Sequence, residues 1–189
     1  MPQLPVVIVL AAGLGERFAA SGGAVHKLEA LLAGKRVIDH VLEVVRASGL
    51  PHHVVRPEDH AAPGAGMGDS IAAGVRATGD ASGWLILPAD LPLIRPETLR
   101  AVALAPAGAV TVPRYRGQRG HPVRFDASCG PELLKLKGNS GAAQLLRTEA
   151  AINSIAFIDV DDAGVVMDID TLDDLRRAET LLRECQLLR

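Results

Sequence analysis

Two runs of this chain, VVIVL at Val6–Leu10 and WLILP at Trp84–Pro88, contain no polar residue. A strand with one wet face alternates apolar and polar side chains, so an unbroken apolar run of this length reads as a strand covered on both faces. The pattern predicts strands over Pro5–Leu10 and Trp84–Asp90, with another at His52–Arg56. Between them lie two amphipathic segments, Val37–Ser48 and Met67–Thr78; in the first, Val37, Val41, Val44 and Val45 recur at helical spacing. Strand, helix, strand, helix, strand specifies an α/β sandwich on a mostly parallel sheet.

The pattern changes after Asp90. Pro96–Ala105 opens with a proline and a glutamate, a good helix start. The stretch AVTVPRYRGQRGHPVRFD then reads as two strands around a turn at Arg116–Gly120, an antiparallel hairpin that makes the sheet mixed. Helical segments follow at Pro131–Leu136 and Gly141–Arg147, a strand at Ile155–Val160, a turn at Asp161–Gly164 and a last helix from Thr171 to about Leu187. In that helix Leu172, Leu175, Ala178, Leu181 and Leu182 share a face, and Thr171 with Asp174 forms a capping-box-like start. Residues 1–189 read as one domain without repeats or a linker, and Ala61–Gly66 as its most mobile loop.

Lys and Arg total 20 against 22 Asp and Glu, a net charge of −2, which disfavours a nucleic-acid partner. Cys129 and Cys185 belong to no CxxC or Cys/His pattern, as expected of a reducing compartment. The N-terminal apolar run meets Glu16 and Arg17 well short of the roughly 20 residues of a membrane span, and it lacks the basic lead-in of a cleaved signal. The expectation is a cytoplasmic chain with no membrane partner.

LAAGLGERF, Leu10–Phe18, follows the first strand. Glycine-rich turns between a strand and a helix bind phosphate because their N–H groups can face the oxygens without a Cβ in the way. Neither standard loop fits. A dinucleotide fingerprint needs a third glycine where Phe18 stands, and an acid where the second strand ends at Arg56. A P-loop needs a hydroxyl residue after its lysine, and Leu28 follows Lys27. What remains is a loop bearing Arg17, with Lys27 at the far end of a small-residue excursion: either a wrap for a triphosphate or a plain surface turn. Asp90 sits at the carboxyl end of an apolar strand, where open α/β sheets place ligands. Asp168 and Asp170 precede the last helix, either as ordinary helix-start acids or, with Asp90 and a phosphate, as ligands for Mg²⁺.

LAAGLGERF…HKL, GMGDSIAAGV, LPADLPLI, GHPVRF, GNSGAAQLL and DIDTLDDL occur in this order over nearly the whole chain. Together they resemble the nucleotidyltransferases of molybdenum cofactor maturation, and among them the molybdenum cofactor cytidylyltransferases. The resemblance implies a three-layer αβα, Rossmann-like sandwich of the nucleotide-diphospho-sugar transferase type. It assigns nucleotide contact to Leu10, Ala11, Ala12, Gly13, Gly15 and Arg17, the triphosphate to Lys27, and the base and sugar to Gly68 and Ser70. Asp90 corresponds to the Mg²⁺ ligand, with Asp168 or Asp170 as a second, and Arg17, Lys27 and Asp90 carry catalysis. His121, Asn139 and Gly141 fall on the acceptor side.

The implied reaction is transfer of a nucleoside monophosphate to the phosphate of molybdopterin, with release of pyrophosphate. CTP is favoured over GTP because LAAG carries Ala12 where the guanylyl type has glycine. A molybdoenzyme or its chaperone is the implied protein partner. The chain departs from the family in two places: Lys27 follows Arg17 by ten positions, a longer interval than is common, and Asn139 stands where an aspartate is common. Two other functions stay open: nucleotidyl transfer to a sugar phosphate or other alcohol phosphate, and a nucleotide-binding module without turnover.

Several residues have plainer readings beside functional ones. Arg114, Arg116, Arg119 and Arg124 could grip an anionic acceptor or simply solvate the hairpin. His121 could meet a pterin or close a turn. His26, His40, His52, His53 and His60 share no metal spacing and read as structural or exposed, and Trp84 reads as core.

Overall fold

The computed structural model describes residues 4–60, 65–106, 108–139, 141–142 and 155–187. Strand β1 (Val6–Leu10) lies between β4 (His52–Val55) and β5 (Gly83–Pro88), parallel to both. Past β5 the sheet continues with β8 (Val123–Asp126) running antiparallel, then β6 (Val110–Tyr115), and β9 (Ile155–Asp159) parallel to β6. Strand β7 (Gln118–Arg119) pairs with the far end of β6 and completes a seven-stranded mixed sheet. This is the architecture the sequence predicts.

The period of two along β1 and β5 assigns side chains to two separate cores. Val7, Val9, Leu85 and Leu87 face helix α2 (Val37–Ser48), helix α4 (Pro96–Ala103) and the C-terminal helix Leu172–Leu187. Ile8, Trp84 and Ile86 face α3 (Met67–Ala77) and the short α5 (Gly130–Leu133). Val7, Ile8 and Val9 are all completely buried. Each such aliphatic side chain contributes roughly 1.5–3 kcal/mol relative to an exposed one, and for this reason an unbroken apolar run is stable here and nowhere on a wet surface. Trp84 packs in the second core, its indole N–H donating to Thr78 Oγ1 at 3.0 Å.

Three local differences have clear causes. The hairpin turn is tighter than Arg116–Gly120. Arg116 and Gly117 both have positive φ (49° and 84°), a primed two-residue turn, so Gln118 and Arg119 are free to pair with β6. Helix α1 (Glu16–Ala20) and the two-residue strands β2 (Leu31–Leu32) and β3 (Lys35–Arg36) are too short to leave a periodic signal. The expected Asp161–Gly164 turn runs on into a 3₁₀ turn at Ala163–Val166. Most of the expected helix at Gly141–Arg147 and of the Ala61–Gly66 loop lies outside the described residues. At the last helix Asp174 Oδ2 accepts from the Thr171 N–H at 2.8 Å and its hydroxyl at 2.7 Å, the expected cap. Among the described residues no helix is long and apolar enough to cross a membrane.

Candidate active site

The carboxyl ends of β1 and β5 open onto one cleft. The Ala89 N–H donates to the Leu10 carbonyl at 3.1 Å, so the chain leaving β5 runs beside the glycine loop leaving β1. The Ile169 N–H donates to the Asp90 carbonyl at 2.9 Å, which brings the DIDT segment to the same place. The cleft has a volume of about 430 Å³, within the range of small-molecule sites.

Its charged end is built on Lys27. The ammonium donates to Asp90 Oδ2 at 2.6 Å and to Asp170 Oδ1 at 2.9 Å. Arg17 Nη1 pairs with the other oxygen of Asp170. Burial pushes the Lys27 pKa down, but Asp90 and Asp170 outweigh it and hold the pKa above its ordinary value. Burial likewise pushes Asp170 up, and Lys27, a hydrogen bond with Asp168 and the Arg17 charge bring it below the usual carboxylate range. Asp168 goes the other way: burial, the hydrogen bond to Asp170, and the charges of Asp170 and Asp90 raise it. Of the two late acids, Asp170 is the one that lines the cleft, and Asp168 does not. The ten-position interval does not keep Lys27 out of the site.

The glycine loop faces this charge. The N–H groups of Gly13, Leu14 and Gly15 have no acceptor among the described residues, which suits them to phosphate oxygens. Of the residues expected at the site, Leu10, Ala12, Gly13, Gly15, Arg17, Lys27, Ser70, Asp90, Asn139 and Asp170 line the cleft. Other expected site residues do not. Ala11 is buried in the core with its N–H on the Val55 carbonyl, and the Gly68 N–H is taken by the Gly138 carbonyl. Gly141 sits against Met67 instead. His121 is half-buried and does not line the cleft; desolvation lowers its pKa against the opposing pull of Asp90 and the Ile86 backbone.

Leu14, Glu16, Phe18, Leu28, Ala65, Gly66, Met67, Pro88 and Ala89 complete the lining and carry no chemical signature in the sequence. Nor do the hairpin arginines reach the cleft. Arg114 is forked on Asp159 and, with Arg119, covers the Phe157 ring, while Arg116 covers Tyr115. Arg124 donates to the Ala105 carbonyl.

One clamp holds the cleft's far wall. Asp69 Oδ2 accepts from the N–H groups of Gly66 and Gly138, each at 2.8 Å. A Cβ on Gly66 would lie 2.2 Å from the Gly138 carbonyl, closer than any real contact, so the start of α3 and the GNSG segment meet glycine on glycine. Ser70 at the same helix start donates to the Gly66 carbonyl at 3.1 Å, 3.2 Å from His60 Nε2.

Asp90 Oδ1 is buried and has no hydrogen-bond partner among the described residues, a costly arrangement unless something binds it. Hard carboxylate oxygens suit Mg²⁺ or Mn²⁺. Among the described residues no three His, Cys, Asp or Glu side chains form a metal cluster by themselves. Asp90 and Asp170 therefore fit a divalent ion that completes its shell with substrate phosphate oxygens, the usual manner of Mg²⁺.

The family model of the MobA-like NTP transferase domain matches residues 7–153. The chain belongs to that family. It is 35% identical over 160 residues to the purine catabolism protein PucB of Bacillus subtilis (strain 168), covering 75% of this chain and 77% of the relative. A nucleotidyl transferase from Methanothermobacter superposes with a TM-score of 0.77 at 24% identity, over 96% of this chain and 99% of that one. Rv0371C of Mycobacterium tuberculosis H37Rv, solved in complex with manganese, gives 0.70 at 25% identity over 94% and 98%. The MobA-like chain described here is accordingly a nucleotidyltransferase acting on a nucleoside triphosphate.

Proposed function

We propose that the chain transfers CMP from CTP to the phosphate of molybdopterin, releasing pyrophosphate, with Mg²⁺ or Mn²⁺ as cofactor. The observation that carries the reaction type is the Lys27 ammonium between Asp90 and Asp170 at the mouth of the glycine loop. Ala12, whose methyl lines the cleft, favours the cytidylyl type. One methyl changes a steric preference by only about 1–3 kcal/mol, so the base is the part of the reading an assay must decide.

A phosphate oxygen of the acceptor attacks the α-phosphorus in line, the bond to the bridging oxygen breaks, and pyrophosphate leaves with that electron pair. The acceptor phosphate is already ionised, its second pKa being about 6, so no side chain has to remove a proton. The chain's contribution is placement and charge. Lys27 has three N–H donors, two of which are held by the acids, leaving one for a phosphate oxygen. Arg17, whose side chain is 76% exposed at the lip, pairs with Asp170 through Nη1 and keeps further N–H donors for the departing phosphates. A divalent ion held by Asp90 and Asp170 supplies charge neutralisation and a template for the phosphates.

The test is pyrophosphate release with each of the four nucleoside triphosphates, with molybdopterin or a sugar phosphate as acceptor. Release with CTP and molybdopterin is expected. Release that depends on a sugar phosphate moves the acceptor assignment, and binding without any release removes the catalytic one.

A further inference from the structure

Between Arg17 and Lys27 the chain makes an excursion that is anchored at its middle. Phe18 is buried, and Ser21 Oγ donates to the Phe18 carbonyl at 2.8 Å while accepting the Leu172 N–H at 3.0 Å. This ties the excursion to the C-terminal helix but leaves the glycine loop at one end and Lys27 at the other to be brought together separately. His26 does so. Its Nε2 lies 2.7 Å from the Gly13 carbonyl, and the Leu28 N–H lies 3.3 Å from its Nδ1.

These two contacts fix the tautomer. A backbone N–H can only donate, so Nδ1 is the unprotonated nitrogen and Nε2 carries the hydrogen that goes to Gly13. The ring also lies against Gly15, where a Cβ would come within 3.2 Å of Nε2 and 3.3 Å of Cδ2. Gly15 has φ of 68°, so glycine answers both the left-handed backbone and the approach of the imidazole.

The consequence for the site follows from the planarity of the peptide unit. A trans peptide points its C=O and N–H in opposite directions, so holding the Gly13 carbonyl on His26 turns the Leu14 N–H away from the imidazole. That N–H is one of the loop donors without an acceptor among the described residues. We propose that His26 is a positioning residue: it latches the glycine loop to the Lys27 arm, so that the loop's N–H groups and the Lys27 ammonium face one triphosphate together. The assignment rests on the nucleotidyltransferase reading above and adds a residue to it that touches no substrate itself. Loop preorganisation should appear as nucleotide affinity, because an unlatched loop must be ordered by the nucleotide when it binds.

The experiment compares wild type with His26→Ala, His26→Gln and His26→Asn, by calorimetric titration of CTP and by steady-state pyrophosphate release. Removing one such hydrogen bond should raise the CTP Kd and KM about tenfold, with a smaller change in kcat and none in the acceptor KM. Glutamine places an N–H donor near the position of Nε2 and should restore most of the affinity; asparagine, which stops near Nδ1, should not. Equal CTP affinity in wild type and His26→Ala overturns the latch, as does rescue by asparagine alone. A wild type that binds none of the four nucleoside triphosphates overturns the function reading instead. Melting temperatures of the three variants separate a latch from a folding defect, because the glutamine variant restores affinity only if the contact to Gly13 is what matters.

Discussion

Lys27 is the residue on which the charged end of the cleft turns, since it holds a carboxylate from the tip of β5 and another from the segment before the last helix. Its loss leaves Asp90 and Asp170 facing each other without the cation between them. Replacing it by alanine should cost transfer about 3 kcal/mol, the magnitude of other single electrostatic deletions, read as kcat/KM for the triphosphate. Because its folded pKa is raised above 10.5, the stabilisation Lys27 gives is complete below that value and is lost only as the pH rises through the folded value. Neutral pH should therefore leave its contribution flat. The residue types at this site were legible in the sequence, because an acid after an apolar strand and a cation after a glycine loop have few other uses. Their pairing was not, since 63 positions separate Lys27 from Asp90 and 143 separate it from Asp170. His26 was illegible for a related reason: one histidine without ligand spacing looks structural until the path of the chain places it on Gly13.

At the scale of elements, long periodic segments announce themselves and short ones do not. Helices α2 and α3 and strands β1 and β5 follow from patterns of five to twelve residues. By contrast α1, with Phe18 as its one buried residue, has no face to read. The join between α3 and the GNSG segment also escapes the sequence, although GMGDS and GNSG were both singled out. It rests on the Asp69 carboxylate, whose pKa is lowered chiefly by the Gly66 N–H and further by that of Gly138. A depressed folded pKa means that the stabilisation is present above the unfolded value near 3.8 and disappears as the pH falls through the folded one. Asp69→Asn should accordingly melt below wild type at neutral pH, and the gap should close in acid. A gap that persists unchanged at low pH would show that the charge on Asp69 is not what holds the clamp.

For the molecule as a whole, two cores on opposite faces of one sheet fix where the strand ends lie, and the site is assembled where the ends of β1 and β5 meet the segment before the last helix. The return of the chain after β9 depends on Asp162, which is buried and accepts from the Arg95 N–H at 2.9 Å, the Thr98 hydroxyl at 2.6 Å and the Gly164 N–H at 2.9 Å. That node fastens the start of α4 to the segment that delivers Asp170. Asp162→Ala leaves those donors unpaired and should lower the unfolding free energy by about 3 kcal/mol, measured by urea denaturation. The overall class of fold was readable because both cores are written in the apolar runs. A buried acid inside a turn sequence such as DDAG carries no such mark.

In the proposed reaction Asp90, whose buried Oδ1 has no partner among the described residues, is the carboxylate through which the cleft performs nucleotidyl transfer. Asparagine at this position keeps the shape and removes the charge. Pyrophosphate release by Asp90→Asn, with CTP, molybdopterin and Mg²⁺ or Mn²⁺, tests it most directly. Loss of turnover by a factor of a hundred or more, about 2.7 kcal/mol, with the melting temperature preserved, is the expected result. Turnover within a few-fold of wild type would remove Asp90 from the reaction.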